Sequence, residues 1–273
     1  MSNTIYELYT NLLKQVLSNE LHYENGLRIS YLLRCMDTSQ PYLLDHVINV
    51  GKHEKQAVRS LCDDPDGQHN YRERIFGFPY TMIGKARLDS LQKMVETTVS
   101  EGIEGDFLEA GVWRGGACIL MRALLDLLGD SNKKVYVADS FQGLPRPILS
   151  EDKGLDFYLD PCLSADINVV KENFRNFRLL DERVIFMPGW FENTLQSPEP
   201  RKLALLRADG DLYKSTMDIL ENLYHRVVPG GFVVVDDYGA VAACRQAVED
   251  FRTRRGIFNP IETIDWTGVF WRV

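Results

Sequence analysis

The sequence has few cysteines, and no two of them stand at a CxxC spacing. Five cysteines occur among 273 residues, which is an odd number. That usage does not suit a disulfide framework and is typical of a protein whose thiols stay reduced. We therefore expect a protein of the cytoplasm.

Long hydrophobic runs and basic stripes are also missing. No apolar run approaches the ~20 residues that a membrane-spanning helix needs, and residues 1–7 show neither the basic nor the apolar part of a secretion signal. The net charge is −8, and the positive residues form no dense cluster. We expect neither membranes nor nucleic acids among the partners.

The first part of the chain has a helical pattern. Apolar side chains recur at helical spacing over residues 5–61, and the Asp, Pro and Gly of residues 63–67 interrupt the pattern. We predict a helical N-terminal extension ending in a loop, residues 1–79, and a second domain, residues 80–273. The extension is expected to contribute to the acceptor pocket and to pack against another subunit. Covering one edge of the sheet is the alternative explanation for its apolar stripes.

Strand and helix patterns alternate from residue 106 to the C-terminus. Repeated βα units predict a mostly parallel sheet with helices on both faces. The last two of the seven predicted strands, 261–264 and 268–271, are joined by a short turn and predict an antiparallel edge hairpin. Residues 141–163 are rich in proline and acidic residues. We interpret them as a lid loop, with a disordered insertion as the alternative.

Aspartates follow two of the predicted buried strands. Asp209 and Asp211 come after one apolar strand, and Asp236 and Asp237 come directly after the next. Because the carboxyl ends of the strands form the binding edge of an open α/β sheet, we expect these carboxylates to lie together. Such a group repels itself unless a cation or a proton joins it, and oxygen ligands suit Mg²⁺. Taken singly, each aspartate is also explained as a turn residue or a helix N-cap.

The first βα turn differs from a dinucleotide-binding fingerprint. Gly111 follows a strand, but the next glycines do not continue a GxGxxG spacing, and Glu109 would repel a phosphate. Asp139, at the end of the second predicted strand, suits the two hydroxyls of a ribose. Together these residues favour S-adenosylmethionine, whose positive charges are tolerated beside carboxylates. A helix cap is the alternative role of Asp139.

The chain resembles the macrocin O-methyltransferase (TylF-like) family, and within it the mycinamicin type. The matching segments span roughly residues 80–273, and the earlier residues resemble the family only in being helical. The segments are Thr81–Gly84, Arg87–Leu88, Glu109–Ala117, Ala138–Gly143, Pro188–Phe191, Asp209–Asp211, Pro229–Phe232, Asp236–Tyr238 and Ala243–Arg245.

The resemblance implies a class I methyltransferase with a Rossmann-like fold that uses S-adenosylmethionine and Mg²⁺. It implies Asp209, Asp236 and Asp237 as metal ligands. It implies Asp211 as the general base, with Asp209 as the other candidate. The positions that it implies for the cofactor are Thr81, Met82, Ile83, Glu109, Gly111, Asp139, Ser140, Phe141, Gln142 and Trp190. A core aromatic is the alternative role of Trp190.

The resemblance also implies the class of acceptor. Family members methylate sugar hydroxyls on macrolide and aminocoumarin antibiotics, so we expect a small glycosylated acceptor and a homodimer or homotetramer. A polyketide or peptide hydroxyl is an alternative acceptor. A nicotinamide-dependent oxidoreductase and a non-catalytic cofactor-binding protein are the two remaining alternatives. The first of these needs a first turn that accepts phosphate, which Glu109 disfavours.

Overall fold

The computed structural model describes residues 3–48, 52–69 and 78–273. It divides the chain into two compact units, residues 1–88 and residues 89–273. Parts of the predicted helical region and of the predicted loop, residues 49–51 and 70–77, lie outside the described residues. In the part of the chain that the structure describes, no helix combines the length and the apolar character that crossing a membrane requires.

The N-terminal unit is helical. Its helices are α1 (Asn3–Leu17), α2 (Tyr23–Asp37), α3 (Leu44–Ile48) and α4 (Lys52–Asp63), and α5 (Lys85–Ser100) begins in it. Helices α2 and α4 pack around a small core of Tyr23, Leu27 and Leu61. The helical interpretation of the N-terminal extension is therefore confirmed for the described residues.

The start of α5 is set by the loop that precedes it. The Asp66 carboxylate accepts a hydrogen bond of 2.7 Å from the backbone N–H of Ala86. This contact pairs one of the first N–H groups of the helix, which have no partner within the helix itself. A Cβ atom at Gly84 would stand 2.3 Å from the Asp66 Cα atom, so glycine is required where the two segments meet.

A seven-stranded sheet forms the C-terminal unit, as predicted. The strands are β1 (Asp106–Ala110), β2 (Val135–Asp139), β3 (Val184–Pro188), β4 (Leu203–Ala208), β5 (Val227–Val235), β6 (Glu262–Thr263) and β7 (Val269–Arg272). Their order across the sheet is β3-β2-β1-β4-β5-β7-β6. Strands β1 to β5 are parallel, and β7 and β6 are added in antiparallel pairings. The predicted edge hairpin is therefore confirmed.

The strand order places a binding crevice between β1 and β4. From β1 the chain passes to β2 and β3 on one side, whereas β4 and β5 lie on the other side. Ligands of open α/β sheets bind outside the carboxyl ends of the strands at such a reversal. Every residue of β4 is buried, and all of them except Arg207 are apolar.

Five helices of this unit follow the strands along the chain. They are α6 (Gly116–Leu127), α7 (Ile167–Asn176), α8 (Phe191–Thr194), α9 (Tyr213–Leu223) and α10 (Ala242–Arg255). The sequence analysis did not predict α7. The signal was present, because the Asp166 carboxylate caps the helix at the N–H of Asn168 (2.7 Å) and Val170 and Phe174 form its buried side.

The segment that follows β2 is folded and anchored. Residues 141–163 contain three single turns of 3₁₀ helix. Asp152 is fully buried, and Trp113 donates a hydrogen bond from its indole nitrogen to the carbonyl oxygen of Cys162 at 2.8 Å. These contacts do not suit the alternative of a disordered insertion. The role of residues 141–163 as a lid stays a prediction.

Candidate active site

The register of the three central strands gathers charged side chains on one face of the sheet. Glu109 of β1 pairs with Arg207 of β4, which pairs with Val234 of β5. Side chains of paired residues point to the same face, and so do residues two apart along an extended strand. Asp209 and Asp236, two residues beyond Arg207 and Val234, therefore continue the same face at the carboxyl edge.

Arg207 is the central cation of this edge. It is 2% exposed. One terminal nitrogen, Nη1, donates to Glu109 and, at 2.8 Å, to Asp209, and the other, Nη2, donates to Asp236. Burial lowers the pKa of Arg207, but ion pairs with Asp236, Glu109 and Asp209 outweigh this effect and hold the pKa above its usual value. A single guanidinium thus joins the ends of three adjacent strands.

Glu109 is enclosed beneath the first βα turn. One carboxylate oxygen contacts Arg207, and the other accepts a hydrogen bond of 2.7 Å from the thiol of Cys118 in α6. Burial raises the pKa of Glu109 to about 7, although Arg207 lowers it. Burial and the charge of Glu109 raise the pKa of Cys118. The predicted role of Glu109 toward the cofactor stays a prediction.

Three aspartates form a carboxylate cluster beside this ion-paired group. Asp209, Asp211 and Asp237 each offer one oxygen, and these oxygens lie within 4.8 Å of one another. Such a set of hard oxygen donors fits Mg²⁺. The fourth predicted carboxylate, Asp236, is buried and contacts Arg207. The assignment of Asp236 as a metal ligand stays a prediction.

Asp211 has an unusual backbone conformation and an unusual carboxyl group. Its φ angle of 53° lies in the left-handed region, and its N–H donates to the Asp237 carboxylate at 3.2 Å. Burial, together with the charges of Asp209 and Asp236, raises the pKa of Asp211 to about 8. A carboxylate in this state is a stronger base than an ordinary aspartate.

The C-terminal hairpin supports the loop that carries Asp236 and Asp237. Thr267, between β6 and β7, donates from its hydroxyl to the carbonyl oxygen of Asp236 at 2.9 Å. The N–H of Gly239 donates to the carbonyl oxygen of Thr267 at 2.8 Å. A Cβ atom at Gly239 would stand 2.2 Å from the carbonyl oxygen of Trp266, so glycine is required at this close approach.

Asp139 joins the turns that follow β1 and β2. Its carboxylate accepts hydrogen bonds from the N–H groups of Val112 (2.8 Å), Trp113 (3.3 Å) and Phe141 (2.7 Å). Burial nevertheless raises its pKa. The structure thus gives Asp139 a role in shaping the edge, and binding of a ribose stays a prediction.

The three residues after Asp139 form a tight turn. The Ser140 hydroxyl donates to the carbonyl oxygen of Gly143 at 2.7 Å and accepts from the N–H of Gln142 at 3.0 Å. Phe141, with a φ of 56°, is buried against Phe186 of β3, with ring centroids 6.1 Å apart. Gln142 is exposed. Their contacts with a cofactor stay predictions.

Gly111 and Trp190 lie at the ends of β1 and β3. Gly111 has a φ of 92°, and a Cβ atom there would stand 1.8 Å from the carbonyl oxygen of Asp209, so the protein's own backbone requires this glycine. Trp190 is half-buried, and it follows Gly189, whose N–H donates to the carbonyl oxygen of Asp139 at 2.9 Å. The residue before Trp190 is thus hydrogen-bonded to the end of β2, and the role of Trp190 toward the cofactor stays a prediction.

Asp152 connects the segment after β2 to the cluster. Its carboxylate accepts hydrogen bonds from the backbone N–H groups of Tyr213 (2.6 Å) and Lys214 (3.2 Å) at the start of α9. Tyr213 stands two residues after Asp211, so Asp152 holds the helix that follows the carboxylate loop. Nothing in the sequence pattern singled out this aspartate.

Sequence reasoning missed Arg207 as a site residue, although a signal was present. An arginine in an otherwise apolar, fully buried strand needs carboxylate partners.

The predicted cofactor residues Thr81, Met82 and Ile83 belong to the N-terminal unit. Their role toward the cofactor stays a prediction.

Comparison with known families decides the class of the protein. The model of the family described as macrocin O-methyltransferase (TylF) matches residues 6–273. The chain belongs to the macrocin O-methyltransferase family. The match begins at residue 6, which corrects the prediction that the family pattern starts near residue 80. The N-terminal helices are therefore part of what the family shares.

Characterised relatives in this family cover most of the chain. The mycinamicin III 3''-O-methyltransferase of Micromonospora griseorubida is 38% identical over 99% of this chain and 98% of its own. The 8-demethyl-8-(2,3-dimethoxy-alpha-L-rhamnosyl)-tetracenomycin-C 4'-O-methyltransferase of Streptomyces olivaceus is 46% identical over 76% of this chain and 82% of its own. The demethyldecarbamoylnovobiocin O-methyltransferase of Streptomyces niveus is 44% identical over 80% of this chain and 90% of its own.

Solved structures agree with the family assignment. The O-methyltransferase NovP superposes with a TM-score of 0.76 at 34% identity, covering 97% of this chain and 98% of its own. The calicheamicin methyltransferase CalS11 shares the fold, with a TM-score of 0.58 at 17% identity over 81% of this chain and 93% of its own. The protein is thus an S-adenosylmethionine-dependent O-methyltransferase. The oxidoreductase and non-catalytic alternatives are set aside.

Proposed function

We propose that this enzyme transfers a methyl group to a sugar hydroxyl of a glycosylated natural product and that it requires Mg²⁺. The acceptor class is supported by the relatives, two of whose names specify a sugar position or a rhamnosyl group. No disulfide joins any of the five cysteines, all of which lie in the described residues, and this supports the cytoplasm as the location.

The observation that carries the proposal is the carboxylate cluster at the carboxyl edge. Asp209, Asp211 and Asp237 converge within 4.8 Å, next to the turns that hold Asp139 and Glu109. When bound, S-adenosylmethionine supplies the methyl group, and Mg²⁺ supplies positive charge that makes a hydroxyl easier to deprotonate. We propose Asp209, Asp237 and Asp236 as the residues that hold the metal ion.

Asp211 is proposed to take the proton from the acceptor hydroxyl. Its raised pKa, about 8, matches a general base that works near neutral pH. Asp211 would accept the proton of the hydroxyl on a carboxylate oxygen, and bound S-adenosylmethionine would supply the methyl group to the hydroxyl oxygen and leave as S-adenosylhomocysteine. The left-handed backbone of Asp211 and its N–H contact with Asp237 keep the carboxylate in the cluster.

The residues around the cluster order the edge for this chemistry. Asp139 holds the turns after β1 and β2 together, and Asp152 holds the start of α9. Fixed positions of this kind are what a displacement reaction needs, because oxygen, carbon and sulfur must align at short distance. We propose that the segment 141–163 covers this edge and excludes water.

A matched panel of acceptors tests the proposal. Purified enzyme is incubated with S-adenosylmethionine and glycosylated polyketides or aminocoumarins that carry a free sugar hydroxyl, and each compound is paired with its sugar-free aglycone. We expect methylation of the glycosides only, with Mg²⁺ present. Equal methylation of the aglycones would move the proposal to a non-sugar hydroxyl, and full turnover in EDTA would overturn the metal requirement.

We also propose that the enzyme forms a homodimer or homotetramer through the N-terminal helices. An exposed apolar stripe runs along α1, where Ile5, Leu8, Tyr9 and Leu12 are 56, 66, 47 and 52% exposed. Exposed stripes at helical spacing commonly meet another subunit.

Substitution of the stripe tests the proposed assembly. Leu8→Ser with Leu12→Ser is expected to shift the protein to monomers in light scattering, because it removes apolar area from the contact. Asn11→Ser, also exposed on α1, is the matched control and should leave the mass unchanged. A doubly substituted protein of unaltered mass would place the interface elsewhere.

A further inference from the structure

Arg207 contacts carboxylates from both halves of the edge. It donates to Glu109, which underlies the first βα turn, and to Asp209, which belongs to the carboxylate cluster. Its remaining contact is with Asp236. Both Arg207 and Glu109 are 2% exposed, so water cannot replace the hydrogen bond between them.

The positive charge of Arg207 does not by itself favour a cation in the cluster. Like charges repel, and the guanidinium lies within hydrogen-bond distance of Asp209. A neutral residue at this position would leave the cluster more negative and more attractive to a divalent ion. The benefit of an arginine must therefore come from its geometry.

A guanidinium is a planar fork whose N–H groups point in fixed directions. Here its two terminal nitrogens hold carboxylates on three strands, with Oδ2 of Asp209 turned toward Nη1 at 2.8 Å. Charge-assisted hydrogen bonds of this kind set the rotation of a carboxylate as well as its position. A lysine ammonium would keep the charge at one point and lose the fork.

We propose that Arg207 is a positioning residue that orients Glu109 and Asp209 together, so that one guanidinium orders both the cofactor side and the metal side of the site. The inference rests on the proposed function, in which this edge binds S-adenosylmethionine and a divalent cation. It concerns the geometry of this chain's own carboxylates, whichever acceptor is methylated.

Arg207→Lys tests the inference because it preserves charge and removes the fork. Binding of Mn²⁺ is measured by electron paramagnetic resonance, and binding of S-adenosylhomocysteine by calorimetry, neither of which requires turnover. We expect Mn²⁺ affinity to fall roughly 10–100-fold, the usual effect of losing a residue that orients a metal ligand. The affinity for S-adenosylhomocysteine should fall in the same variant, because Glu109 loses the same partner.

Arg122→Lys is the matched control. Arg122 is also 2% exposed and also pairs with two carboxylates, Asp126 and Asp181. Asp181 precedes β3, so this pairing lies at the amino ends of the strands, away from the carboxyl ends where Arg207 pairs. We expect Arg122→Lys to lower the melting temperature and to leave both affinities unchanged, which separates positioning from a general effect on folding.

The outcomes distinguish the inference from the proposed function. Absence of Mn²⁺ binding in the unsubstituted enzyme would overturn the metal requirement and the inference together. Binding that is equal in the unsubstituted enzyme and Arg207→Lys would overturn the inference alone.

A second measurement applies if Arg207→Lys does not fold. Crystal structures of the unsubstituted enzyme with and without Mn²⁺ should both keep Oδ2 of Asp209 within hydrogen-bond distance of Arg207. A carboxylate that leaves Arg207 when the ion binds would overturn the inference.

Discussion

Arg207 and Arg122 are both buried arginines, but their surroundings differ in charge balance. At the amino ends of the strands, Arg122 and Arg183 face Asp126 and Asp181, so positive and negative groups are equal in number. At the carboxyl ends, among the residues that the structure describes, Arg207 contacts three acids, and two further acids lie beside them. The acids of that edge are Glu109, Asp209, Asp211, Asp236 and Asp237.

The difference shows in the pKa values of Asp181 and Asp211. At the amino edge, burial raises the pKa of Asp181, but hydrogen bonds from Arg122 and from the N–H of Arg183 outweigh it and leave the value lowered. At the carboxyl edge, burial and neighbouring carboxylates raise the pKa of Asp211 to about 8. Within the described residues, arginines thus favour the charged form of Asp181, whereas burial and neighbouring carboxylates favour the protonated form of Asp211. We therefore expect the network of Arg122 and Arg183 to serve folding and the carboxylate cluster to serve function.

The largest expected effect comes from removing a carboxylate of the unbalanced edge. Asp237→Asn should lower kcat by ~1000-fold or more, because the proposed metal ion contributes several kcal/mol to the reaction. Calorimetry with S-adenosylhomocysteine should show cofactor affinity close to that of the unsubstituted enzyme. EDTA should abolish turnover and Mg²⁺ should restore it. Turnover that persists in EDTA would mean that no metal ion is needed and that protons alone neutralise the carboxylates of this edge.

The difference between the edges was partly predictable from sequence. Apolar runs ending in aspartates predicted buried strands and an acidic edge, and Asp209, Asp211 and Asp237 do converge there. The pattern could not show which acid faces Arg207, because that depends on the register of β1, β4 and β5. Asp236, predicted as a metal ligand beside Asp237, is held by the arginine, and so is Asp209.

Other parts of the fold lay outside the reach of local patterns. Asp152 stands in a proline-rich segment and acts on α9, 61 residues away in sequence. The amino-edge network likewise joins α6 to the residues before β3, with Arg122 and Asp181 separated by 59 positions. Such contacts follow from packing of distant elements, for which hydrophobic periodicity carries no information.

Asp139 differs from the other acids of this edge, because backbone N–H groups stabilise its carboxylate. Its carboxylate is held by N–H groups of Val112, Trp113 and Phe141 rather than by an arginine. Asp139→Ala should weaken S-adenosylmethionine binding by ~1.5–3 kcal/mol, the scale of hydrogen bonds to a charged group. Calorimetry measures the change, and Asp139→Asn, which keeps one acceptor oxygen, should show a smaller one. An unchanged dissociation constant would place the ribose elsewhere.

The raised pKa of Asp211 predicts how metal binding depends on pH. An unfolded aspartate has a pKa near ~3.9, and the folded value is about 8, so the folded state holds the proton more tightly. Without metal, the contribution of Asp211 to stability is present below about pH 4 and is lost as pH rises toward 8. A cation competes with this proton, so Mg²⁺ affinity should rise up to about tenfold per pH unit between pH 6 and 8.

Thermal denaturation with MgCl₂ or EDTA checks this dependence. The increase in melting temperature that Mg²⁺ provides should be larger at pH 8 than at pH 6. Asp211→Asn lacks the titrating group and should show a much weaker pH dependence. A metal effect that is equal at both pH values would show that Asp211 is already ionised in the folded protein, and the contrast with Asp181 would then disappear.

The smallest expected effect lies at the balanced edge. Asp181→Asn removes a carboxylate that contacts Arg122 and is itself 32% exposed. Because Asp126 still pairs with Arg122 at 2.6 Å, the loss in unfolding free energy should be only about 1–2 kcal/mol. The pKa of Asp181 is lowered in the folded state, so its contribution is present above the unfolded pKa and is lost as pH falls below about 4. Denaturation of the variant should therefore differ from that of the unsubstituted protein at pH 7 and converge with it in acid. Turnover and Mn²⁺ affinity should be unchanged at pH 7, and a fall in either would show that the amino edge also serves the reaction.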